Sequence, residues 1–437
     1  MSTAPTNDGT TTSDTGSTSD DESTAGKGGA PRFALLTHLS PAGRRALAGA
    51  FGGYGLDAFD YQLLPLVLPA ITLYFRISSG QAGLLSALTL VVSAVGGLLA
   101  GIMADRIGRT RTLMITIGTY ALFTVLCGLA PNFGSLLTFR ALQGLGFGGE
   151  WAVGAVLVAE YAAPRYRGRV AAVIQSSWAV GWALAVIVYT LVFNLADPAI
   201  GWRIMFLTGA LPAVLVLFLR RKVVDAPRAT PTTAVRPRGS FGAIMHGGLG
   251  RTTFFAALLA TGVQGGYYTL ATWLPSYLKT ARHLDVANTG GYIAFVISGA
   301  FVGYLFGGYL TDRLGRKKNF AVFAVASAVL MLAYTLVPVG ANSALLVLGF
   351  PLGFAYSAIF SGFGAFLAEL YPAELRGTGQ GFTYNFGRAV GAVFPATVGF
   401  LANTMGIGGA MAFGALGYAI ALVALLGLPE TRGRQLR

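Results

Sequence analysis

The chain has 437 residues, of which 54% are hydrophobic and only 11% are charged, against roughly 25% charged residues in an ordinary soluble domain. Such a chain cannot cover its own apolar surface with polar groups, which excludes a soluble globular protein and predicts a membrane protein. The net charge of +14 does not indicate nucleic-acid binding, because most of the 31 Lys and Arg residues fall in tails and loops on one side of the apolar segments. That asymmetry predicts that both termini are cytoplasmic and that the chain is a multi-pass protein of the inner (plasma) membrane.

Residues 1–44 are predicted to form a cytoplasmic tail, because the first 30 residues are mostly Ser, Thr, Gly and Asp and lack the apolar core of a cleavable signal peptide. Twelve apolar segments follow, and a membrane-spanning helix needs about 20 such residues. They lie near 46–73, 80–104, 111–130, 134–161, 168–195, 202–221, 252–278, 287–311, 318–338, 342–371, 377–402 and 408–428. The sequence therefore predicts an all-α membrane protein with twelve transmembrane helices.

Two motifs occur twice at nearly the same offset. Gly101-Ile-Met-Ala-Asp105-Arg106-Ile-Gly108-Arg109 returns as Gly308-Tyr-Leu-Thr-Asp312-Arg313-Leu-Gly315-Arg316, and a Glu-x6-Arg pattern occurs at Glu160–Arg167 and Glu369–Arg376. Internal repeats of this kind mark duplicated membrane units and are typical of transporters. They predict six-helix bundles at 45–221 and 252–428, a Pro- and Arg-rich cytoplasmic linker at 222–251, and a short cytoplasmic tail at 429–437.

The repeated Gly-x-x-x-Asp-Arg-x-Gly-Arg motif resembles the signature of the major facilitator superfamily, and the closing Pro429-Glu430-Thr431-Arg432-Gly433 is similar to another motif of that superfamily. The resemblance implies the major facilitator fold of two pseudo-symmetric six-helix bundles. Leu56-Asp57-Ala-Phe59-Asp60 and the Arg140–Trp151 segment further resemble the proton-coupled organic-acid carriers, the sialate and monocarboxylate symporters and the aromatic-acid symporters. The helix 7 signature of the fungal lactate permeases is not matched.

Charges that occur in both halves are expected to serve the shared scaffold and its gate, and in this superfamily they are implied to latch the cytoplasmic face. The gating residues predicted on this basis are Gly101, Asp105, Arg106, Gly108, Arg109, Glu160 and Arg167 in the first half and Asp312, Arg313, Gly315, Arg316, Glu369 and Arg376 in the second.

Five ionisable residues inside predicted helices have no counterpart in the other half: Asp57, Asp60, Arg140, Glu150 and Arg388. An intramembrane charge costs at least about 2.5–3.5 kcal/mol, which makes each a candidate for function. Asp57 and Asp60 are three positions apart, and two carboxylates so close in a poorly hydrated cavity cannot both ionise cheaply. We therefore predict proton coupling at Asp57, Asp60 and Glu150, with Asp60 favoured; the alternative is that one Asp bonds a neighbouring backbone group.

The remaining candidates suit an organic anion. Arg388 offers a planar fork for a carboxylate, and Asn385 is expected on the same helix face. Arg140, with Gln143 one turn along, is either a second anion contact or a partner of Asp57. Buried amides and aromatic walls complete the predicted substrate site with Gln175, Trp178, Gln264, Tyr267 and Tyr268.

The sequence thus predicts a proton-coupled symporter of a small organic-acid anion (a monocarboxylate, sialic acid or an aromatic acid) working by alternating access. The alternatives are a proton-coupled sugar or metabolite symporter and a drug/proton antiporter, although the Gly-Pro-x-x-Gly-Gly pattern of drug antiporters is missing at Gln175–Trp182. A transporter-like sensor and a proton-independent facilitator are weaker rivals. We expect no enzymatic activity, cofactor or metal, no nucleic-acid partner, and a monomer embedded in the lipid bilayer as the functional unit.

Overall fold

The computed structural model describes residues 41–161, 167–211, 214 and 241–432, and every regular element in these ranges is helical. The predicted tail up to residue 40, most of the predicted linker and residues 433–437 lie outside the described residues. Among the described residues, eight helices are long and apolar enough to cross a membrane. The predicted all-α membrane protein is confirmed.

The first half consists of six consecutive helices. They are α1 (Pro41–Phe75), α2 (Ser79–Ile107), α3 (Arg109–Gly128), α4 (Phe133–Tyr161), α5 (Arg167–Leu195) and α6 (Pro198–Thr208). Side chains cap the starts of two of them. Ser78 and Gln81 form a reciprocal capping box before α2, and the Asp197 carboxylate accepts from the backbone N–H of Ala199 at the start of α6.

The second half follows a five-residue helix, Phe241–Met245. Its helices are α7 (Gly248–Ser276, continued by a π-helical turn, Tyr277–Ala281), α8 (Val286–Leu314), α9 (Arg316–Leu336), α10 (Asn342–Glu369), α11 (Arg376–Gly391), α12 (Val393–Met411) and α13 (Gly414–Leu426). The eleventh predicted span is interrupted, since a turn at Ala392 separates α11 from α12. A non-helical backbone at Gly406 (φ 72°) inside α12 marks the start of the twelfth span.

The repeat extends to backbone conformation. Gly108 and Gly315, 207 positions apart, have φ values of 93° and 89° and join α2 to α3 and α8 to α9. Such angles favour glycine, which explains why both copies of the motif carry it. Arg76 and His283, also 207 positions apart, have φ values of 53° and 55°. We call the side with the two glycine turns the motif face and the side with Arg76 and His283 the opposite face.

Within each half, one helix pair packs backbone against backbone. A Cβ atom on Gly148 in α4 would overlap the Ser93 carbonyl oxygen in α2, and one on Gly353 in α10 would overlap the Val296 carbonyl oxygen in α8. Small residues permit such contact where lipid provides no hydrophobic drive between helices. The two pairs occupy matching places in the two halves and form their rigid frame.

The halves meet mainly where α1 packs against α7, α5 against α8, and α2 against α11 and α12. On the opposite face, Gly80 of α2 approaches the Phe400 ring, and Gly83 approaches the backbone of Pro395 and Ala396. Helix α7 lies between α1 and the group α11–α13, and nearly every residue from Ala256 to Ser276 is buried. This surrounding protein explains why α7 can carry Gly, Thr, Gln and Tyr inside a membrane domain.

Candidate functional site

A cavity lies between the two halves. Its lining comes from seven helices and consists of one cationic, one anionic and eight aromatic side chains among the described residues. The first half contributes Tyr54, Asp57, Phe147 and Trp178, and the second contributes Tyr267, Tyr268, Tyr304, Phe360, Tyr384 and Arg388. A cavity with aromatic walls and a few polar groups is the usual form of a small-molecule site.

Arg388 is the cationic residue of this lining. Its side chain is only 4% exposed, and its guanidinium carbon lies 5.1 Å from the ring centre of Tyr384 and 5.4 Å from that of Phe147. Among the described residues, its Nε and Nη1 atoms have no hydrogen-bond partner. A buried guanidinium with two open donors beside a cavity can donate charge-assisted hydrogen bonds to an anion.

Asp57 is the anionic residue of the lining and is 3% exposed. It projects from α1, one turn after Tyr54, which lines the same cavity. The carboxylate and the Arg388 guanidinium thus face one enclosed space from different halves of the molecule.

The aromatic walls are tied together across the two halves. The Trp178 indole Nε1 in α5 donates to the Tyr267 hydroxyl in α7 over 2.5 Å. The Tyr267 ring centre lies 5.4 Å from that of Tyr268 and 5.3 Å from that of Phe360. Aromatic surfaces in this arrangement favour a flat, unsaturated ligand.

Asp60 is not among the residues that line the cavity. It belongs to a second buried polar cluster inside the first half. Its Oδ1 lies 2.9 Å from the Thr124 hydroxyl, and its Oδ2 accepts from Gln143 Nε2 over 2.6 Å. Arg140 donates to Gln143 Oε1 over 2.5 Å. Arg140 and Gln143, predicted to contact substrate, are therefore placed in this Asp60 cluster, away from the cavity.

Three further predicted residues are not among those that line the cavity. Gln264 Nε2 donates to the Tyr384 carbonyl oxygen over 2.9 Å, and Gln264 Oε1 accepts from the Tyr268 hydroxyl over 3.3 Å. Asn385 donates to the Gly381 carbonyl oxygen of its own helix over 2.9 Å. Gln175 is half-buried in α5, one turn before Trp178. Gln264 holds α7 against α11, which positions Tyr268 and Arg388 at the cavity.

The predicted gating residues of the second half form a linked group on the motif face. The Arg316 guanidinium and the Glu369 carboxylate are 2.9 Å apart, and the Thr431 hydroxyl donates to the same carboxylate over 2.5 Å. Arg376 Nε donates to the Ala368 carbonyl oxygen over 3.0 Å. Arg313 is exposed over the Tyr309 ring, and Gly315 supplies the turn.

Glu430 completes this group in a way that the sequence motif did not indicate. Its carboxylate accepts from the backbone N–H groups of Arg316 and Lys317, which begin α9, and from those of Thr431 and Arg432. The first N–H groups of a helix have no partner within the helix. Gly315 has no side chain to cap α9, and the distant Glu430 does so instead.

In the first half, Arg106 is exposed, and Gly101 and Gly108 lie at the end of α2. The side chains of the other predicted residues there lie outside the described part of the structure: Asp105, Arg109, Glu150, Glu160 and Arg167. The same holds for Asp312 in the second half.

Sequence reasoning missed several residues that the structure brings into these sites. Thr124 looks like an ordinary helical threonine, and Tyr54, Phe147, Tyr304 and Phe360 look like packing residues. The spacing offers a signal for two of them: Tyr54 lies one turn before Asp57, and Phe147 lies two turns after Arg140. In the described residues, no group of three His, Cys, Asp or Glu side chains could hold a metal ion.

Two repeated halves of membrane-spanning helices around a polar cavity define a multi-pass membrane transporter. The chain belongs to the Major Facilitator Superfamily, whose sequence model matches residues 50–395 and again 293–436. The twelve-helix fold with two pseudo-symmetric bundles, predicted from the sequence, is confirmed.

Relatives agree with the predicted branch of organic-acid carriers. The chain is 38% identical to a probable 4-methylmuconolactone transporter of Cupriavidus pinatubonensis, over 92% of this chain and 94% of that protein. It is 30% identical to the cis,cis-muconate transport protein of Acinetobacter baylyi, over 87% of this chain and 93% of that protein. A solved D-xylose–proton symporter matches 90% of this chain and 99% of its own chain with a TM-score of 0.75 at 20% identity, which shows a common fold.

Proposed function

We propose that this transporter carries a small, flat organic-acid anion together with a proton by alternating access of the cavity to the two membrane faces. Lys and Arg are concentrated on the motif face and in the tails, which supports a cytoplasmic position for that face and for both termini. The named substrates of the two relatives are unsaturated organic acids, and the same chemistry suits the cavity of this chain.

The observation that carries the proposal is the state of Arg388. Burying a guanidinium with two unsatisfied donors costs free energy unless a ligand accepts hydrogen bonds from them. A carboxylate accepts charge-assisted hydrogen bonds from these donors, whereas the hydroxyl groups of a sugar offer only weaker, neutral acceptors. The location of Arg388 between the two halves also supports the proposal, because rocking of the halves would open the same site to either membrane face.

The Asp60 cluster supplies a place for the coupling proton. Thr124 Oγ1 lies 2.9 Å from Asp60 Oδ1, 2.8 Å from the Tyr120 carbonyl oxygen and 2.6 Å from Gln143 Nε2. When Asp60 is ionised, the Thr124 hydroxyl donates to the carboxylate. When Asp60 is protonated, the acid donates to Thr124, which turns its own proton toward Tyr120. In both forms the hydroxyl donates one hydrogen bond and accepts one from Gln143, so a proton can be held and released without rearrangement of heavy atoms.

The test is uptake of labelled benzoate and sorbate into proteoliposomes, with and without an inward proton gradient. We expect accumulation that depends on the gradient. Arg388→Lys should abolish it, because a point charge does not replace the planar fork. Arg251→Lys, the same change at the exposed start of α7, should retain it. Transport of neutral sugars in place of acids, or full activity of Arg388→Lys, would refute the proposal.

A further inference from the structure

The charges on the cavity wall are balanced before any substrate enters. The described lining contains one guanidinium, Arg388, and one carboxylate, Asp57. The Asp60 cluster, buried beside the cavity, likewise pairs one carboxylate with one guanidinium, that of Arg140, through Gln143. Each added charge therefore has to be compensated inside a region from which water is largely excluded.

We propose that Asp57 is a specificity residue that restricts the cavity to substrates with a single carboxylate and rejects dicarboxylates. This inference rests on the proposed function and narrows its substrate class from organic anions to monoanions, which separates this chain from the relative named for cis,cis-muconate, a dicarboxylate.

The first argument is local. One carboxylate of the substrate occupies the open donors of Arg388, and no second cation lines the described cavity. A second carboxylate on the same molecule would share the cavity with Asp57, and like charges at short range in a medium of low dielectric constant repel strongly. The hydroxyl groups of Tyr54 and Tyr304, which also line the cavity, can instead bond to a carbonyl, ester, lactone or phenol group at the far end of a monoanion.

The second argument is the total charge that must cross the membrane. A bound monoanion adds one negative charge, and a proton on Asp60 removes one, so the loaded carrier has the same net charge as the empty one. A dianion would leave one uncompensated negative charge inside the protein, where an ion costs several kcal/mol. Transport of one proton with one monoanion is therefore electroneutral.

The experiment measures binding to the purified full-length chain by titration calorimetry with matched ligands. Sorbate and trans,trans-muconate share a six-carbon diene and differ in carrying one or two carboxylates, and benzoate and terephthalate differ in the same way. We expect each monoanion to bind at least about tenfold tighter than its dianion, a factor that corresponds to 1.4 kcal/mol. The monomethyl ester of each diacid should recover the affinity of the monoanion, because esterification removes the second charge and keeps the length.

The variant Asp57→Asn then tests whether Asp57 causes the discrimination between monoanions and dianions. This variant should bind the dianions within a few-fold of the monoanions, whereas Asp285→Asn should keep the wild-type discrimination. Asp285 caps the distant start of α8, where Asn is an equally good cap.

Three results would overturn the inference. Equal binding of monoanions and dianions by the wild type would overturn it while leaving organic-acid transport intact, as would unchanged discrimination in a folded Asp57→Asn variant. Failure of every acid to bind would instead refute the proposed function, and the inference with it. The ester series uses the wild-type protein alone, so the inference remains testable if Asp57→Asn does not fold.

Discussion

The indole of Trp178 donates a hydrogen bond to the hydroxyl of Tyr267, and this bond joins the two halves of the molecule at the wall of the cavity. Trp178 belongs to α5 in the first half and Tyr267 to α7 in the second. Any movement that separates these helices has to break it.

Trp178→Phe and Tyr267→Phe each remove one partner of this bond while keeping an aromatic wall. Each change should alter turnover in proteoliposomes by about fivefold, the factor that corresponds to a hydrogen bond of about 1 kcal/mol. The double variant should differ from wild type by no more than either single variant, because both changes remove the same bond. Effects that simply add would show that the two residues act independently.

Asp60→Asn mimics a permanently protonated carboxylate. Net uptake driven by a pH gradient should disappear, because no proton can be released inside. Exchange of labelled for unlabelled substrate should persist, since exchange requires no change of protonation. Gradient-driven uptake at the wild-type rate in Asp60→Asn would show that the coupling proton binds at another residue. Glu150 would then be the next residue to test.

Thr124→Val removes the hydroxyl that serves both forms of Asp60 while keeping the shape of the side chain. The variant should lose about 1–3 kcal/mol of stability, the cost of leaving a buried polar group unpaired. It should also lose proton-coupled uptake. Thr124→Ser keeps the hydroxyl and serves as the control. Thermal unfolding in detergent measures the stability, and a Val variant that matches wild type in melting temperature and uptake would remove Thr124 from the proposed proton site.

Glu430→Gln tests the cap of α9. Burial acts to raise the pKa of Glu430, but the N–H groups of Arg316, Lys317, Arg432 and Thr431 outweigh it and hold the pKa below its ordinary value. A depressed pKa means that the ionised group stabilises the folded protein above the unfolded-state pKa of about 4.3, and that this contribution is lost as pH falls through the folded-state pKa. The variant should therefore melt below wild type at pH 7, and the difference in melting temperature should shrink below the unfolded-state pKa and vanish once the pH has fallen through the folded-state pKa. A difference in melting temperature that does not depend on pH would contradict the stabilisation of α9 by the ionised Glu430 carboxylate.

Sequence patterns predicted the helices and singled out Arg388, which lines the cavity, because both signals are local. Apolar length defines a span, and an unrepeated charge such as Arg388 is conspicuous in it. The partition of Asp57 and Asp60 between a cavity and a separate buried cluster was not predictable, since it depends on which helices pack on each side of α1. Gln264 was predicted at the substrate, but its partner is a backbone carbonyl of α11, and nothing within α7 encodes that contact. The turn at Ala392, by contrast, has a local signal, because Gly391 precedes it and Pro395 cannot donate to the carbonyl of residue 391.

The burial of α7 also has a consequence for biosynthesis. This helix is not among the eight that are apolar enough to span a membrane by themselves, and it packs against α1 and against α11–α13. The latter segments leave the ribosome after α7. The position of α7 in the bilayer is therefore stabilised only once α11–α13 have been synthesised. Until then the nascent chain has to hold a segment that is too weakly apolar to span the membrane by itself. Presented alone to the insertion machinery, α7 should enter the membrane less efficiently than α2, and addition of α11–α13 should raise that efficiency.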